Sequence, residues 1–302
     1  MILNSIIRQK DRYRKIVNIS LENRKAGLMV PRLFAFDLDG TLLDSHKKLS
    51  NANLKALKEM QKSGAIIAFA SGRLGSSMCK YCSEDLEISM LTLNGAAVYK
   101  GKNLSSQLIF EAPLDARYAN FLLNYTQNQN FALNYYINDK LYTLKRPQSK
   151  PWNDLYYQQT STEYIFLEKF DQFIDCTPSK ILFVGDSSEI DRQEAYFRNL
   201  WKDSIYICRT WDHYLEFLNP LANKGTGLKM LAQAHRIDLS ETVAFGDAEN
   251  DIPMLEAAGV GIAMGNALDK VKAVASKVSP WSNDEDAIAR EWSLMKKGIN
   301  IN

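Results

Sequence analysis

The stretch Leu33-Phe34-Ala35-Phe36-Asp37-Leu38-Asp39-Gly40-Thr41-Leu42 decides how the rest of the chain is read. Four apolar residues with no polar interruption form the pattern of a strand buried on both faces, and the run stops at Asp37. In an extended segment residues i and i+2 point to the same side, so Asp37 and Asp39 face one site while Leu38 turns away. Gly40 lets the chain turn sharply directly afterwards. Open α/β sheets bind their ligands beyond the carboxyl ends of the strands, which is where this carboxylate pair falls.

Outward from this stretch, apolar runs alternate with helical periods, the signature of βα units and a parallel sheet. Ser50 is an N-cap for a helix through Ser63, with Leu54 and Leu57 facing inward and Gly64 ending it. Further strands are expected over 65–70, 90–93, 242–245 and 261–263, with helices over 225–236, 251–258 and 283–297. Between about Pro113 and Tyr214 the texture changes. That stretch holds 21 of the 32 aromatic residues, and its expected strands (131–137, 141–144, 180–184 and 204–208) alternate as one-face-exposed antiparallel strands do. It reads as an inserted α+β domain.

A second acidic cluster, Phe245-Gly246-Asp247-Ala248-Glu249-Asn250-Asp251, repeats the design of the first: strand, glycine turn, carboxylates and an amide. A single Asp-Gly is an ordinary turn, but two such clusters at strand ends bring four carboxylates together if their strands are neighbours. Like charges at that range raise each other's pKa unless a cation intervenes. A hard divalent ion with oxygen ligands, Mg²⁺, resolves the conflict and leaves positions for water and phosphate. Ser71-Gly72-Arg73 follows a strand and offers a hydroxyl and backbone N–H groups at a helix start, a setting suited to an anion. Lys224-Gly225-Thr226 opens a helix, and its ammonium can act as a point charge on a phosphoryl oxygen.

Composition narrows the classes. A net charge of +2 in 302 residues does not advertise a nucleic-acid partner. No apolar run approaches the roughly 18 residues of a membrane span. Four cysteines (79, 82, 176 and 208) are too few for a disulfide scaffold, so a cytoplasmic, reducing setting is expected. Cys79 and Cys82 have C-x-x-C spacing without a second pair, and read as reduced cysteines on a helix. Residues 1–31 carry seven basic and two acidic side chains, a balance of +5 that leaves −3 for the rest. They read as a basic extension with no catalytic role. Nothing in the sequence specifies an oligomeric state.

In this order, Asp-Leu-Asp-Gly-Thr-Leu, Ser-Gly-Arg, Lys-Gly and Gly-Asp-Ala-Glu-Asn-Asp resemble the four motifs of the haloacid dehalogenase superfamily of phosphohydrolases, Cof-type subfamily. The resemblance runs from about Pro31 to the C-terminus and takes in Leu93-Asn94-Gly95-Ala96 and Asn283-Asp284-Glu285-Asp286. It implies an α/β fold: a doubly wound, Rossmann-like parallel-sheet core over 32–112 and 215–302, with an inserted α+β cap over 113–214. It implies a Mg²⁺-dependent phosphatase of a small phosphate ester. Asp37 would be the nucleophile and Asp39 the general acid/base. Leu38, Thr41, Ser71, Gly72, Lys224 and Asn250 would surround the phosphate. The metal ligands would be Asp37, Asp247 and the backbone carbonyl of Asp39, with Asp251, Asn94 and Gly95 in support. The alternatives are a phosphomutase or sugar-phosphate-specific phosphatase on the same scaffold, a non-catalytic phosphate-sensing protein, and a receiver-type phosphoacceptor. Asp39 and the insert weigh against the last. Cap aromatics such as Tyr135, Tyr136, Trp152, Tyr156 and Tyr157 are expected mainly to build the cap's own core, with one or two lining the cleft.

Overall fold

The computed structural model describes residues 31–83, 85–101 and 107–299. The basic extension therefore lies, Pro31 apart, outside the described residues. The first part of the chain forms β1 (Leu33–Asp37), α1 (Asn51–Lys62), β2 (Ile66–Ala70), α2 (Gly75–Cys79), β3 (Ile88–Thr92), β4 (Ala97–Lys100) and β5 (Gln107–Glu111). The middle forms α3 (Ala116–Tyr125), β6 (Ala132–Ile137), β7 (Lys140–Leu144), α4 (Lys150–Thr160), β8 (Ile165–Leu167), β9 (Lys180–Val184), α5 (Ser187–Trp201), β10 (Tyr206–Trp211) and β11 (Tyr214–Leu218). The last part forms α6 (Lys224–Ala234), β12 (Thr242–Gly246), α7 (Ile252–Ala257), β13 (Val260–Ala263), α8 (Asp269–Val274), β14 (Lys277–Val278) and α9 (Ala287–Ile299).

The first and last parts share one eight-stranded sheet in the order β14-β13-β12-β1-β2-β3-β4-β5. Its six strands from β14 to β3 are parallel, and β4 and β5 add an antiparallel edge. From the centre the chain winds outward in opposite directions, through β2 and β3 on one side and through β13 and β14 on the other. The order therefore reverses between β1 and β12, the crevice where doubly wound sheets hold ligands. The absence of polar alternation in Leu33–Phe36 has a direct cause: every residue of β1 and of β12 is buried. Phe36 and Phe245 stack across that central pair with ring centroids 5.2 Å apart. Ser50 caps α1 as its position suggested, its side chain accepting from the Asn53 N–H.

The middle part forms a second, six-stranded sheet in the order β10-β11-β9-β6-β7-β8, antiparallel except where β7 meets β8. Two expectations are corrected here. Tyr214–Leu218 pairs with β9 and β10 in this sheet, so a boundary at 214 cuts through its edge hairpin. The alternation of these strands also does not mark a solvent face. Ile181, Phe183, Leu215 and Phe217 pack with Leu122, Ile190 and Phe197 from α3 and α5. Leu182, Val184, Tyr214 and Leu218 point the other way, onto Leu74, Leu93 and Ala96 of the first sheet's loops. At β9 and β11 both faces are covered, one by helices and one by the core.

Candidate active site

β1 and β12 pair in parallel, from Leu33 opposite Thr242 to Phe36 opposite Phe245. Asp37 and the loop after Gly246 therefore leave the sheet side by side. Lys224 enters from beneath as the first residue of α6, whose start is fixed by the Asn223 side chain accepting from the Thr226 N–H. Gly95 lets this start approach closely, since a Cβ there would lie 2.4 Å from the Asn223 carbonyl oxygen. Lys224 is fully buried, and its Nζ donates to Asp37 Oδ1 and to Asp251 Oδ1, each at 2.6 Å. Asp251 Oδ2 accepts the backbone N–H groups of Asp247 and Ala248, both at 3.0 Å. One carboxylate thus holds the lysine and shapes the loop that carries Asp247.

Asp37, Asp247 and Asp251 each offer an oxygen within 4.8 Å of the others. Burial first, and then the charge of Asp251, push the Asp37 carboxyl well above its ordinary value despite the pull of Lys224. The same two causes raise Asp247 to about 6, against the hydrogen bond it accepts from Thr41. Burial pulls Lys224 down, but Asp251 and Asp37 outweigh it and hold the ammonium charged. One lysine facing three carboxylates leaves a negative excess, which is the chemistry a hard divalent cation with oxygen ligands fits. Asp37 and Asp247 could hold it, because Asp251 spends one oxygen on Lys224 and the other on two backbone donors. Gly40 is obligatory beside them: its φ is +84°, and a Cβ would stand 2.4 Å from Asp247 Oδ2.

Asp39 has the opposite electrostatics. Arg73 grips it with two hydrogen bonds, Nε to Oδ2 and Nη2 to Oδ1, each 2.7 Å, and Lys47 Nζ donates to Oδ1 at 2.7 Å. Burial pushes this carboxyl up, but the hydrogen bonds and charges of Arg73 and Lys47 prevail and hold it at about 2. Two carboxylates two residues apart are thus driven in opposite directions, Asp37 toward its acid form and Asp39 toward its carboxylate.

A cavity of about 110 Å³ opens above this floor, and Asp37, Asp39, Ser71, Gly72 and Asn250 are among its walls. Of the residues expected around a phosphate, Leu38, Thr41 and Lys224 are not among these walls, and Lys224 lies buried beneath Asp37. The Leu38 side chain belongs to the hydrophobic core, and the Thr41 hydroxyl donates to Asp247 Oδ1 at 2.8 Å. Thr41 therefore orients a carboxylate. Asn94 sits in the left-handed region (φ 59°), donates from Nδ2 to Glu216 Oε2 at 2.7 Å and accepts from Asn250 Nδ2 at 2.9 Å. The closing segment has a structural part as well: Asp284 accepts from the Ser45 N–H and hydroxyl, pinning the loop that carries Lys47.

Four charged residues without an assigned role in the sequence reading complete the site. Arg73 was visible inside the Ser-Gly-Arg motif, and Lys47 only as one cation in a polar loop. Lys180 and Glu216 come from the second sheet, where they are a buried ion pair at 3.2 Å. Lys180 Nζ also donates to the Gly72 carbonyl at 3.0 Å, and Glu216 holds Asn94, so the pair ties the cap sheet to two loops of the core. The signal for both is a lone charge inside an apolar strand, Lys-Ile-Leu-Phe-Val and Tyr-Leu-Glu-Phe-Leu. Cys79 and Cys82 are unbridged, and burial pushes the Cys82 thiol up to about 11. Among the described residues no helix is long and apolar enough to cross a membrane.

The sequence profile of the haloacid dehalogenase-like hydrolases matches residues 34–291. The chain belongs to this family. Within it, phosphatase YwpJ of Bacillus subtilis is 30% identical over 284 residues, spanning 85% of this chain and 97% of that protein. HMP-PP phosphatase of Cronobacter sakazakii is 30% identical over 248 residues, 80% of this chain and 87% of the other. The crystal structure of a haloacid dehalogenase-like hydrolase from B. subtilis aligns with a TM-score of 0.75 at 25% identity, covering 87% of this chain and 99% of that one. As a haloacid dehalogenase-like hydrolase of the Cof type, the chain gathers its four motifs at one sheet crevice: Asp37 and Asp39, Ser71, Lys224, and Asp247 to Asp251.

Proposed function

We propose that this hydrolase is a Mg²⁺-dependent phosphatase that cleaves a small phosphomonoester through an aspartyl-phosphate intermediate. The observation that carries this reading is the pairing of Asp37, anchored by Lys224 Nζ at 2.6 Å, with Asp39, clamped two residues later by Arg73 and Lys47. Phosphoryl transfer is chiefly positioning and charge stabilisation, and an aspartate nucleophile divides the displacement into two in-line steps. In the first, a carboxylate oxygen of Asp37 bonds to phosphorus as the ester P–O bond breaks, and Asp39, protonated once the bound ester has displaced the Arg73 and Lys47 clamp that otherwise keeps it ionised, gives its proton to the departing alkoxide. In the second, water gives a proton to the Asp39 carboxylate as its oxygen attacks phosphorus, and Asp37 leaves as a carboxylate with inorganic phosphate. Asp39 is then protonated for the next ester.

Lys224 fixes Asp37 for attack and places positive charge beneath the transferring group. Ser71 and Asn250 border the same space, and Asn94 orients Asn250. Asp37, Asp247 and the Asp39 carbonyl would hold Mg²⁺, which would supply charge neutralisation at the phosphoryl oxygens. The named relatives, a phosphatase and an HMP-PP phosphatase, support a phosphorylated metabolite as substrate.

The test is release of phosphate from p-nitrophenyl phosphate with and without Mg²⁺, beside Asp37→Asn. Mg²⁺-dependent release by the wild type and none by the variant is expected. Release that ignores the metal, or survives in Asp37→Asn, overturns the proposal.

A further inference from the structure

Trp211 differs from the other two rings that line the cavity. It ends β10 and is 50% exposed, whereas Tyr214 and Tyr156 beside it are 5% and 6% exposed. All three line the cavity that contains Asp37 and Asp39. The Trp211 and Tyr214 ring centroids are 6.2 Å apart, and Tyr214 and Tyr156 are 5.3 Å apart, so the rings form a continuous wall. The two tyrosines are fixed by their hydroxyls: Tyr214 donates to Gln159, and Tyr136 donates to the Tyr156 oxygen at 2.6 Å. Trp211 keeps much of its indole surface in water.

Its position relative to the chemistry is specific. Lys47 Nζ lies 5.8 Å from the Trp211 ring centroid and 2.7 Å from Asp39 Oδ1. The wall is therefore one side chain away from the carboxylate that protonates the leaving alcohol.

Among the described residues, the cations lining the cavity all sit in ion pairs, Lys47 and Arg73 sharing Asp39 and Lys180 meeting Glu216. The ring wall is the apolar surface that the cavity offers beside these pairs.

We propose that Trp211, backed by Tyr214 and Tyr156, is a stacking wall for the leaving group, and that the enzyme selects monophosphate esters whose alcohol bears a planar aromatic or heteroaromatic ring. This rests on the phosphatase reading above and names the substrate class of the same site. Trp211 acts here as a specificity residue and takes no part in bond making.

Benzyl phosphate and cyclohexylmethyl phosphate test this directly, because they share the CH₂–O–P linkage and differ in the planarity of the ring. With Mg²⁺ present, the wild type is expected to show a kcat/KM about five- to tenfold higher for benzyl phosphate, the range one stacked aromatic pair supplies. Trp211→Phe keeps most of that ratio, and Trp211→Leu brings it close to one. Equal kcat/KM values for the two esters in the wild type, or an undiminished ratio in Trp211→Leu, overturn the proposal. Should Trp211→Leu fail to fold, the wild-type ratio and its partial retention in Trp211→Phe decide the matter. p-Nitrophenyl phosphate separates the two levels: release from it without ring preference defeats only the stacking wall, while no release from any of the three esters defeats the phosphatase reading itself.

Discussion

Replacing Lys224 with methionine tests the electrostatic design of the site most severely. The substitution keeps length and apolar bulk but removes the ammonium that lies 2.6 Å from both Asp37 and Asp251. Three carboxylates with oxygens within 4.8 Å then share a buried space with no lysine between them. Removing one partner of a buried ion pair costs about 3–5 kcal/mol. At about 2–4 °C per kcal/mol for a domain of this size, Tm at pH 8 should fall by about 6–20 °C. Lys224 is charged in both states at pH 5 and pH 8, so any pH trend comes from the carboxylates. Asp37 and Asp247 have folded pKa values above their unfolded ones, and the folded state accordingly regains stability as they take up protons. The deficit of Lys224→Met should therefore be smaller at pH 5 than at pH 8. The assay is thermal unfolding followed by circular dichroism in EDTA at both pH values. A variant whose Tm stays within about 2 °C of the wild type at pH 8, or whose deficit grows on acidification, refutes the reasoning.

Two further outcomes follow from the same charges. Asp247 sits at about 6 in the fold, against an ordinary carboxylate value near 4, so metal-free protein should lose on the order of 3 kcal/mol as pH rises through that window. Mg²⁺ should then raise Tm more at pH 7.5 than at pH 5; stabilisation that is independent of pH would contradict the ligand assignment. Asp39 behaves inversely, because its folded value of about 2 lies below the unfolded one. Its contribution of about 2 kcal/mol is complete above pH 4 and disappears as pH falls through 2. Arg73→Met should thus be less stable than the wild type in urea titrations at pH 7, with the difference closing toward pH 2.

The core of this protein was legible because its strands are buried on both faces. Leu33–Phe36 and Val243–Phe245 carry unbroken apolar runs, and their ends locate Asp37 and Asp247 without further information. Ser50 and Gly64 bracketed α1 for equally local reasons. The second sheet was harder to read. Lys180 and Glu216 interrupt apolar strands, and such an alternation looks the same whether its polar side faces water or another domain. Only the packing of Leu182, Val184 and Tyr214 against Leu74 and Leu93 reveals that the charges point into the active site. Motif position put Thr41 near the phosphate but did not show its partner, because only the turn at Gly40 aims its hydroxyl at Asp247. Trp211 had no signal among 32 aromatic residues, since only the β10–β11 hairpin brings it to the cavity mouth.

The most direct test of the mechanism is to trap the phosphorylated enzyme. Asp39→Asn removes the base that activates water, so the second step should slow more than a fast-leaving aryl ester's first step. Acid-quenched Asp39→Asn, mixed with p-nitrophenyl phosphate and Mg²⁺, is expected to carry one phosphoryl group on the peptide containing Asp37. Mg²⁺-dependent phosphate release by the wild type, with no phosphoryl group ever found on Asp37 in either protein, would contradict the aspartyl-phosphate account.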